Sequence, residues 1–391
     1  MTLSIFDITQ GILFTLPLLI TSSIYVLISA ISLHSSKRNT TIDKNKNYSP
    51  LISIIIPTFN EERIIKKTLE NILETSYPAE KIEIIVVDSS TDNTPQIVRQ
   101  FSINHACVKL LHDDKRTGLA TGLNKAYKIC SGDIIVKTDA DVLIDKNTLT
   151  EMISNFADPT IGAVTGRLNV VNNVSNEKNY RSIQQIIQSA ESRIDSVYMT
   201  HTLVAYRRSL IRAYDPREYG DETIQTIHIR KQGFRVIYDS EANFYEPYPE
   251  STKERFSQKV RRAEGHVRIL LDNLDMFFNR KYKRFGTYVF PANFFMIIIS
   301  PLLLSLGLAL LILDLVLYSS MIILDSLVLT LIVALFLLRR KPIAGNAWSI
   351  IELQFAQLLA MKNVLFRKDQ HLWQKVNREI NDIRVQQHLV K

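Results

Sequence analysis

The amino-acid sequence predicts an α/β fold, a mostly parallel sheet sandwiched by helices, joined to transmembrane helices. Three apolar runs rich in Ile and Val, at residues 51–57, 82–88 and 134–139, are typical of strands buried on both faces of a parallel sheet. Amphipathic stretches lie between them, and in residues 61–74 the apolar side chains recur at helical spacing. Alternating strands and helices favour an α/β sandwich with right-handed crossovers.

Long apolar segments predict helices that cross a membrane. Residues 11–33 contain no charged side chain, and residues 286–338 contain only two, both Asp. A helix needs about 20 apolar residues to cross roughly 30 Å of hydrocarbon. The first segment is interpreted as a retained anchor rather than a signal peptide, because residues 1–10 contain no Lys or Arg. We predict three spans, at residues 10–33, 287–313 and 320–338.

Basic residues flank these spans on one side only. Lys and Arg cluster at residues 37–46, 280–284 and 339–341, whereas residues 1–10 and the turn near Tyr318 carry none. By the positive-inside rule, the N-terminus lies outside and the long central segment lies in the cytoplasm. We therefore expect an integral membrane protein with a cytoplasmic central domain.

The net charge of +8 does not indicate a nucleic-acid partner. Much of the excess lies beside the predicted spans, where anionic lipid headgroups attract Lys and Arg. Cys107 and Cys130 are the only cysteines, too few for a disulfide framework or a zinc site. Membrane lipids are the expected partner, and nucleic acid is not.

These patterns divide the chain into five parts. The segment at 251–285 is helical in pattern and basic, which is typical of a helix at a membrane interface. The predicted parts are an N-terminal transmembrane anchor at 1–36, a cytoplasmic α/β domain at 50–250, amphipathic interface helices at 251–285, two transmembrane helices at 286–340 and a cytoplasmic helical tail at 341–391.

Polar residues follow each predicted strand. The first strand runs into Pro57-Thr58-Phe59-Asn60-Glu61, the second ends at Asp88, and the third runs into Asp139-Ala140-Asp141. Taken singly, each has a plain structural explanation, such as capping a turn or a helix. In open parallel sheets, however, ligands bind beyond the carboxyl ends of the strands, and these three ends share one edge. The sequence therefore predicts a ligand site at that edge.

The pair Asp139 and Asp141 predicts a divalent metal. Hard oxygen ligands suit Mg²⁺ or Mn²⁺, and such ions are usually shared between one or two carboxylates and substrate phosphates. A metal that bridges a diphosphate offsets the charge that develops as the diphosphate departs. This chemistry fits a nucleotide-sugar donor.

Taken together, the motifs resemble the inverting family-2 glycosyltransferases of the GT-A fold, the group that includes cellulose, hyaluronan and dolichol-phosphate sugar synthases. The resemblance spans roughly residues 50–265 and follows the family order. It implies a GT-A type nucleotide-diphospho-sugar transferase domain. The matching pieces are residues 57–61, Asp88, GLATGLN at 118–124, Asp139-x-Asp141, Gly220-Asp221-Glu222 and Gln258-x-x-Arg261.

The resemblance implies roles at the donor site. Pro57, Thr58 and Glu61 are implied to line the nucleotide pocket. Asp88 is implied to contact the base or the ribose.

At the diphosphate, the family pattern implies that Asp141 binds the metal. Asp139 is implied to lie near the ribose and diphosphate and to support the metal. The expected cofactor is Mg²⁺ or Mn²⁺, and the expected donor is a UDP- or GDP-sugar.

The general base is implied by a carboxylate pair before a helix. The family usually writes this pair Glu-Asp, whereas here the order is Asp221-Glu222. Counting back eleven residues from Gly233 reaches Glu222, where the family has its Asp, so Glu222 is predicted as the base and Asp221 as its support. The alternative is that both carboxylates merely favour the first turn of a helix.

The last motif departs from the family. Gln258 and Arg261 match the family's Gln-x-x-Arg-Trp, but Arg262 stands where the Trp is expected. Arg261 is implied to pair with the diphosphate, because a guanidinium binds phosphate oxygens bidentately. The missing Trp, which packs near the growing polymer in chain-building members, argues against processive synthesis.

We therefore predict a metal-dependent inverting glycosyltransferase that moves a single sugar to a lipid-linked acceptor at the cytoplasmic face of a membrane. One alternative is a processive polysaccharide synthase that extends and exports a glycan. Another is an inactive membrane protein that only binds nucleotide-sugar. An oxidoreductase is disfavoured, because no Gly-x-Gly-x-x-Gly follows the first strand.

Overall fold

The structure is a computed structural model of the chain. It describes residues 44–172, 175–215, 221–249, 251–317, 333–338 and 341–366, together with Ser326 and Thr330. The predicted span at 10–33 lies outside the described residues, as does most of the one at 320–338. The end of the predicted tail, residues 367–391, also lies outside them.

Eight described strands form one sheet. Their bounds are β1 Ile52–Thr58, β2 Ile82–Asp88, β3 Val108–His112, β4 Ile134–Lys137, β5 Leu143–Ile144, β6 Ile161–Val170, β7 Val204–Arg207 and β8 Arg235–Glu246.

Helices cover the sheet and continue beyond it. Their bounds are α1 Ile65–Leu73, α2 Thr94–Asn104, α3 Leu119–Ile129, α4 Thr148–Ser154, α5 Ser175–Ile194, α6 Asp221–Lys231, α7 Thr252–Asp272, α8 Phe290–Phe294, α9 Ser300–Leu317 and α10 Pro342–Leu365. Short π-helical stretches precede α8 and α9, at Phe285–Val289 and Phe295–Ile299.

The sheet is mixed rather than mostly parallel. The strand order is β3-β2-β1-β4-β7-β6-β8-β5. The half that contains β3, β2, β1 and β4 is parallel throughout, as predicted. In the other half β7 is antiparallel to β4 and β6, and β5 is antiparallel to β8. The second half lacks long apolar runs, and its pairings join strands far apart in the chain, so the sequence pattern did not reveal their directions.

Both faces of the parallel half are buried, which explains its continuous apolar runs. Alternate residues of β1 and β2 enter different clusters: Ile54 and Ile84 lie in the main core, and Ile55 and Ile85 lie on the opposite face with α3. Side chains that point to alternate faces of a strand require this arrangement. The predicted buried strands are confirmed, with ends that differ from the prediction by no more than two residues.

The first predicted helix starts later than its apolar pattern indicated. Asn60 adopts a left-handed backbone conformation, with φ of 59°, and a turn follows before α1 begins at Ile65. Asparagine tolerates this region because its short polar side chain bonds locally. The delay leaves residues 59–61 in a loop at the sheet edge.

Helix α7 packs inside the protein. Its Val260 and Ala263 form a small core with Ala356 and Ala360 of α10, where the small side chains allow close approach. Nine residues of α7 are buried, including Gln258 and Lys259. The placement of residues 251–285 at a membrane surface remains a prediction. Helix α10 packs directly against α7.

One described helix is long and apolar enough to cross a membrane, by length and composition. It runs over Phe285–Leu313 with mean hydropathy 2.7 in its most apolar window, of which 33% is buried. This helix coincides with the second predicted span.

Candidate active site

The polar strand ends meet at one edge of the sheet. Thr58, at the end of β1, pairs in register with Asp88 at the end of β2, and β4 lies on the other side of β1. A cavity of about 1250 Å³ opens there. Eight of the predicted site residues line it: Pro57, Thr58, Glu61, Asp88, Asp139, Asp141, Glu222 and Arg261.

The cavity has two differently built walls. The strand-end part is lined by the loops after β1, β2 and β4. The helical part is lined by side chains of α5, α7, α10 and the apolar segment before α9, among them Gln184, Gln188, Met296, Ile350 and Leu353. Glu222 lines the same cavity from the first turn of α6.

Asp88 is the centre of a hydrogen-bond network in the strand-end part. Its side chain is completely buried. Oδ1 accepts hydrogen bonds from the hydroxyls of Thr58 (2.8 Å) and Ser90. Oδ2 accepts from the Ser90 backbone N–H (3.2 Å) and lies 2.6 Å from Nδ1 of His112. Because both oxygens have protein partners, Asp88 holds the strand ends together, and its contact with a base or ribose remains a prediction.

A second set of bonds ties the loop after β1 to the loop after β2. The Asn60 N–H donates to Ser90 Oγ (2.7 Å), and Asn60 Oδ1 accepts from the Thr91 N–H (2.8 Å). The Glu61 N–H donates to Thr94 Oγ1 (2.8 Å). These bonds fix residues 59–61 as a rigid wall of the cavity.

Two cavity-lining residues were not predicted as a pair. The Arg116 guanidinium carbon lies 4.1 Å from the centroid of the Phe59 ring, a cation–π contact. The two residues come from separate loops, so no local sequence signal joins them. The contact between His112 and Asp88 was also not predicted, because it depends on the register of β2 with β3.

The Asp139-x-Asp141 motif lies just after β4. The strand ends at Lys137, two residues earlier than predicted, so both carboxylates stand in the loop. The Asp139 side chain is 39% exposed, and its Oδ1 lies 3.2 Å from Nζ of Lys137. In the described part of the chain, no group of three or more His, Cys, Asp or Glu side chains is placed to hold a metal.

Glu222 is the member of the carboxylate pair seen at the cavity wall. Its side chain is 20% exposed, and its Oε1 accepts a hydrogen bond from Nζ of Lys137. Asp221 begins α6, but its side chain lies outside what the structure describes. Gly233, from which the position of the base was counted, follows the helix with φ of 93°, a conformation that favours glycine.

The two residues of the Gln-x-x-Arg motif separate. Arg261 lines the cavity, whereas Gln258 lies off its wall. Gln258 is 6% exposed, and its side-chain nitrogen has no hydrogen-bond partner among the described residues. Arg262 also lines the cavity, and its guanidinium carbon lies 5.7 Å from the Tyr248 ring centroid. The residue at the family's Trp position therefore faces the cavity as a cation.

Buried ions connect the helices of the helical part. Arg181 Nε lies 3.0 Å from Glu177 Oε1 within α5, and Lys259 of α7 lies 3.3 Å from Glu352 of α10. Burial alone raises the pKa of the Glu177 carboxyl, but the charges of Arg181 and Lys259 outweigh it and hold that pKa below its usual value. Lys259 also lies 3.7 Å from Glu177, so its ammonium links α5, α7 and α10.

Two further titratable groups line the helical part. Burial raises the pKa of the Glu191 carboxyl to about 7, although the Tyr198 N–H and the Asn293 amide donate to it. Burial lowers the pKa of His201, whose Nε2 lies 2.7 Å from Gln188 Oε1. His201 is therefore a packed, neutral side chain.

The strand-end part of the cavity lies in a segment of the chain that matches a known protein family. Residues 53–215 match the family model described as Glycosyl transferase family 2. The match contains Asp88, Asp139 and Asp141, whereas Glu222 and Arg261 lie beyond it.

Two curated relatives are similar over much of the chain. A probable glycosyltransferase of Bacillus subtilis, YdaM, is 29% identical over 270 residues, which cover 65% of this chain and 64% of that protein. The poly-beta-1,6-N-acetyl-D-glucosamine synthase of Staphylococcus aureus is 28% identical over 283 residues, which cover 68% of each. The match thus spans just under two thirds of the first relative.

A solved structure is similar over nearly the whole chain. It is the mannosyltransferase PcManGT from Pyrobaculum calidifontis in complex with GDP-Man and Mn²⁺. The TM-score is 0.80 at 25% identity, and the match covers 92% of this chain and 99% of that one. The similarity therefore extends past the matched family region to the helices that follow it.

Proposed function

We propose that this chain, whose residues 53–215 match glycosyl transferase family 2 and which has the GT-A type α/β fold, moves a single sugar from a nucleotide-diphosphate donor to a lipid-linked acceptor. One observation carries the proposal: a continuous cavity joins strand-end carboxylates, Glu222 and apolar side chains of the last helices. A charged donor suits the strand-end part of the cavity, and an acceptor with polar and apolar parts suits the helical part.

The donor occupies the strand-end part. Pro57, Thr58 and Glu61 line the nucleotide pocket, and Asp88 keeps the loops around it in place. Arg261, on the cavity wall, pairs with the diphosphate. Gln258 lies off the wall, so its role is to support α7 rather than to contact the donor.

Asp139 and Asp141 fit a divalent cation. They supply two carboxylates at the cavity wall, a hard-oxygen set suited to Mg²⁺ or Mn²⁺ shared with substrate phosphates. The Pyrobaculum calidifontis structure, described with GDP-Man and Mn²⁺, supports this assignment. When bound, the metal offsets the negative charge of the departing diphosphate. Asp141 is the principal ligand, and Asp139 lies beside the ribose and diphosphate.

Glu222 acts as the general base, with Asp221 as its support. Glu222 accepts the proton of the acceptor hydroxyl, whose oxygen attacks the anomeric carbon on the face opposite the diphosphate. The bond between that carbon and the diphosphate oxygen breaks, and its electron pair leaves with the diphosphate. Attack from the opposite face inverts the configuration at the anomeric carbon.

The acceptor occupies the helical part. Met296, Ile350 and Leu353 offer apolar contact to a lipid chain. Gln184 and Gln188 line the same part, with their amides bonded to Arg181, Met199 and His201. The apolar helix Phe285–Leu313 supports a location at a membrane. The basic residues at 280–284 and 339–341 favour the cytoplasmic side for the domain. The acceptor hydroxyl lies at the junction of the two parts, where Glu222 is found.

A second candidate is a processive polysaccharide synthase. It is favoured by the similarity to the poly-beta-1,6-N-acetyl-D-glucosamine synthase of Staphylococcus aureus. Against it, Arg262 occupies the position of the family's Trp and faces the cavity. Single transfer is therefore the preferred function.

A screen of nucleotide-sugars tests the proposal. The purified full-length protein is incubated with native lipids and each of several UDP- and GDP-sugars, and both donor consumption and product mass are measured. The expected product is a lipid heavier by one sugar. A ladder of long products supports the processive alternative. Donor binding without any consumption overturns both and leaves a nucleotide-sugar-binding protein.

A further inference from the structure

Lys137 places a buried ammonium between two of the carboxylates at the site. It is the last residue of β4, and only 3% of its surface is exposed. The other residues of the strand, residues 134–136, are apolar and buried, so this position does not otherwise call for a charge. Lys137 lines the cavity.

The ammonium joins groups from different elements. Lys137 Nζ lies 3.2 Å from Oδ1 of Asp139 and donates a hydrogen bond to Oε1 of Glu222. Asp139 lies two residues further along the chain, whereas Glu222 is 85 residues away on α6. Lys137 is therefore the described link between the strand-end motif and the carboxylate that α6 presents.

Burial makes this link specific. An ammonium taken out of water is stabilised only where counter-charges and hydrogen-bond acceptors lie close to it. Here the Lys137 side chain is 4% exposed and the Glu222 side chain 20%. An ion pair so little exposed is weakly screened and holds its geometry better than a surface pair.

The link also addresses a departure from the family pattern. At the position of the base this chain has Glu222, one methylene longer than the expected Asp. An extra rotatable bond adds conformations that must be frozen for reaction. A hydrogen bond to Oε1 restricts those conformations and so sets the direction of the other carboxylate oxygen.

We propose that Lys137 is a positioning residue that holds the Glu222 carboxylate in the geometry for transfer, opposite Asp139. The inference rests on the proposed function, because it takes Glu222 as the base. Lys137 itself neither gives nor takes a proton in this role. Its contribution is to keep a long carboxylate side chain at one place beside the donor.

The test compares the full-length wild-type protein with K137M, K137R, E222Q and the double variant K137M/E222Q. Methionine keeps the length of lysine without its charge, and arginine keeps the charge with a different shape. Three quantities are measured for each: binding of the nucleoside diphosphate, the kcat and KM of transfer, and the melting temperature.

We expect K137M to lower kcat about 100-fold, within the range of a base that has lost its geometry. The KM for the donor and the binding of the nucleoside diphosphate change less than about threefold, because the donor contacts remain. K137R restores about tenfold of the loss, since a charged donor to Glu222 is retained. In the E222Q background, K137M costs less than about threefold, because residues that act as a unit are not additive.

Lys109→Met is the matched control. Lys109 is also a strand lysine bound to a carboxylate, with Nζ 2.7 Å from Oε1 of Glu83, but neither residue lines the cavity. K109M is expected to keep kcat and KM within about twofold, because the Lys109 side chain is 52% exposed and its pair with Glu83 lies away from the cavity.

Three kinetic results overturn the inference. They are full kcat in K137M, an equal loss from K137M with and without Glu222, and a loss confined to donor KM. A general folding defect is recognised by a melting temperature that falls in K137R as far as in K137M, with no recovery of kcat, and it also overturns the inference. An active wild type with an equally active K137M refutes the inference alone, whereas a wild type that consumes no nucleotide-sugar refutes the proposed function as well.

Discussion

The strand-end part and the helical part of the cavity are built from different interactions. The first consists of short polar side chains at adjacent strand ends, where the Asp88 carboxylate alone has four hydrogen bonds, with Thr58, Ser90 and His112. The second consists of long side chains from three helices, joined by buried ion pairs such as Lys259 with Glu352. The first wall is fixed by strand register, and the second by helix packing.

This difference indicates where variation is tolerated. A sheet edge positions its ligands through backbone pairing, which any sequence of that fold shares. A helix-built wall depends on the individual side chains at each contact, because ridges and grooves must match. We therefore expect the donor chemistry to follow the family, and the acceptor preference to be particular to this chain. Four substitutions test that separation.

Asp141→Asn is expected to have the largest effect, a loss of at least about 1000-fold in metal-dependent transfer, because one of two carboxylate ligands is removed. Transfer is measured across a titration of Mn²⁺ and after chelation, which should abolish the wild-type activity. Asp272→Asn, an exposed carboxylate at the end of α7, is the control and should change nothing. Unchanged turnover in D141N would refute the metal assignment.

Glu222→Gln is expected to slow transfer by about 100- to 1000-fold, the range for loss of a general base. Donor binding should stay within about twofold, since the strand-end part is intact. Single-turnover transfer and calorimetric titration of the donor measure the two quantities. If Asp221→Asn proves the more damaging change, the base is Asp221 and the count back from Gly233 is wrong.

Glu191→Gln tests whether the helical part is buried, through the pH dependence of the free energy of unfolding. The carboxyl pKa rises from its ordinary 4.5 to about 7 in the folded protein, because burial disfavours the charged form. The native state therefore binds the proton more tightly than the unfolded state does. The contribution of Glu191 to the free energy of unfolding is fully present below pH 4.5 and is lost as the pH rises through 7. At 1.36 kcal/mol per pH unit, this amounts to about 3 kcal/mol.

Denaturant unfolding of the purified protein in detergent, at several pH values from 4.5 to 8, measures this loss. The glutamine variant should show a flatter pH dependence than the wild type. The control is Glu254→Gln, an exposed carboxyl in the first turn of α7, which should follow the wild-type curve. Parallel curves for wild type and E191Q would mean that Glu191 is solvated.

Leu353→Gln is expected to have the smallest effect, a rise of about tenfold in the KM for a lipid acceptor, from the lost burial of one apolar side chain. Hydrolysis of the donor in the absence of acceptor should not change, because Leu353 lies in the helical part only. Leu359→Gln, on the exposed face of the same helix, is the matched control. An equal effect on donor hydrolysis would show that the two parts are not separable.

Much of the strand-end part was predictable because its signals are local. A buried strand of a parallel sheet appears as an apolar run, and the polar residues that follow it mark the ligand edge. Asp88, Asp139 and Asp141 were located in this way, and all three line the cavity. The resemblance to family 2 glycosyltransferases is confirmed by the match over residues 53–215.

Other features depend on contacts that have no local signal. In the sequence, Lys137 is only the polar end of a strand. Its partner Glu222 lies 85 residues later, and only the fold brings the two side chains together. Arg116 meets Phe59 across two loops, and Gln258 turns away from the site although its neighbour Arg261 faces it. The antiparallel pairs of β7 with β4 and β6 likewise join strands distant in the chain.

By itself the sequence determined the class of fold, the apolar helix that matches a membrane span, and the carboxylates that gather at the strand ends. These follow from periodicity and from spacing over a few residues, which the backbone converts directly into position. Only the tertiary structure decided that one cavity joins the strand ends to the last helices, and that Lys137 stands between Asp139 and Glu222. Such contacts arise from the packing of distant elements, where loop lengths and side-chain shapes select one arrangement among many.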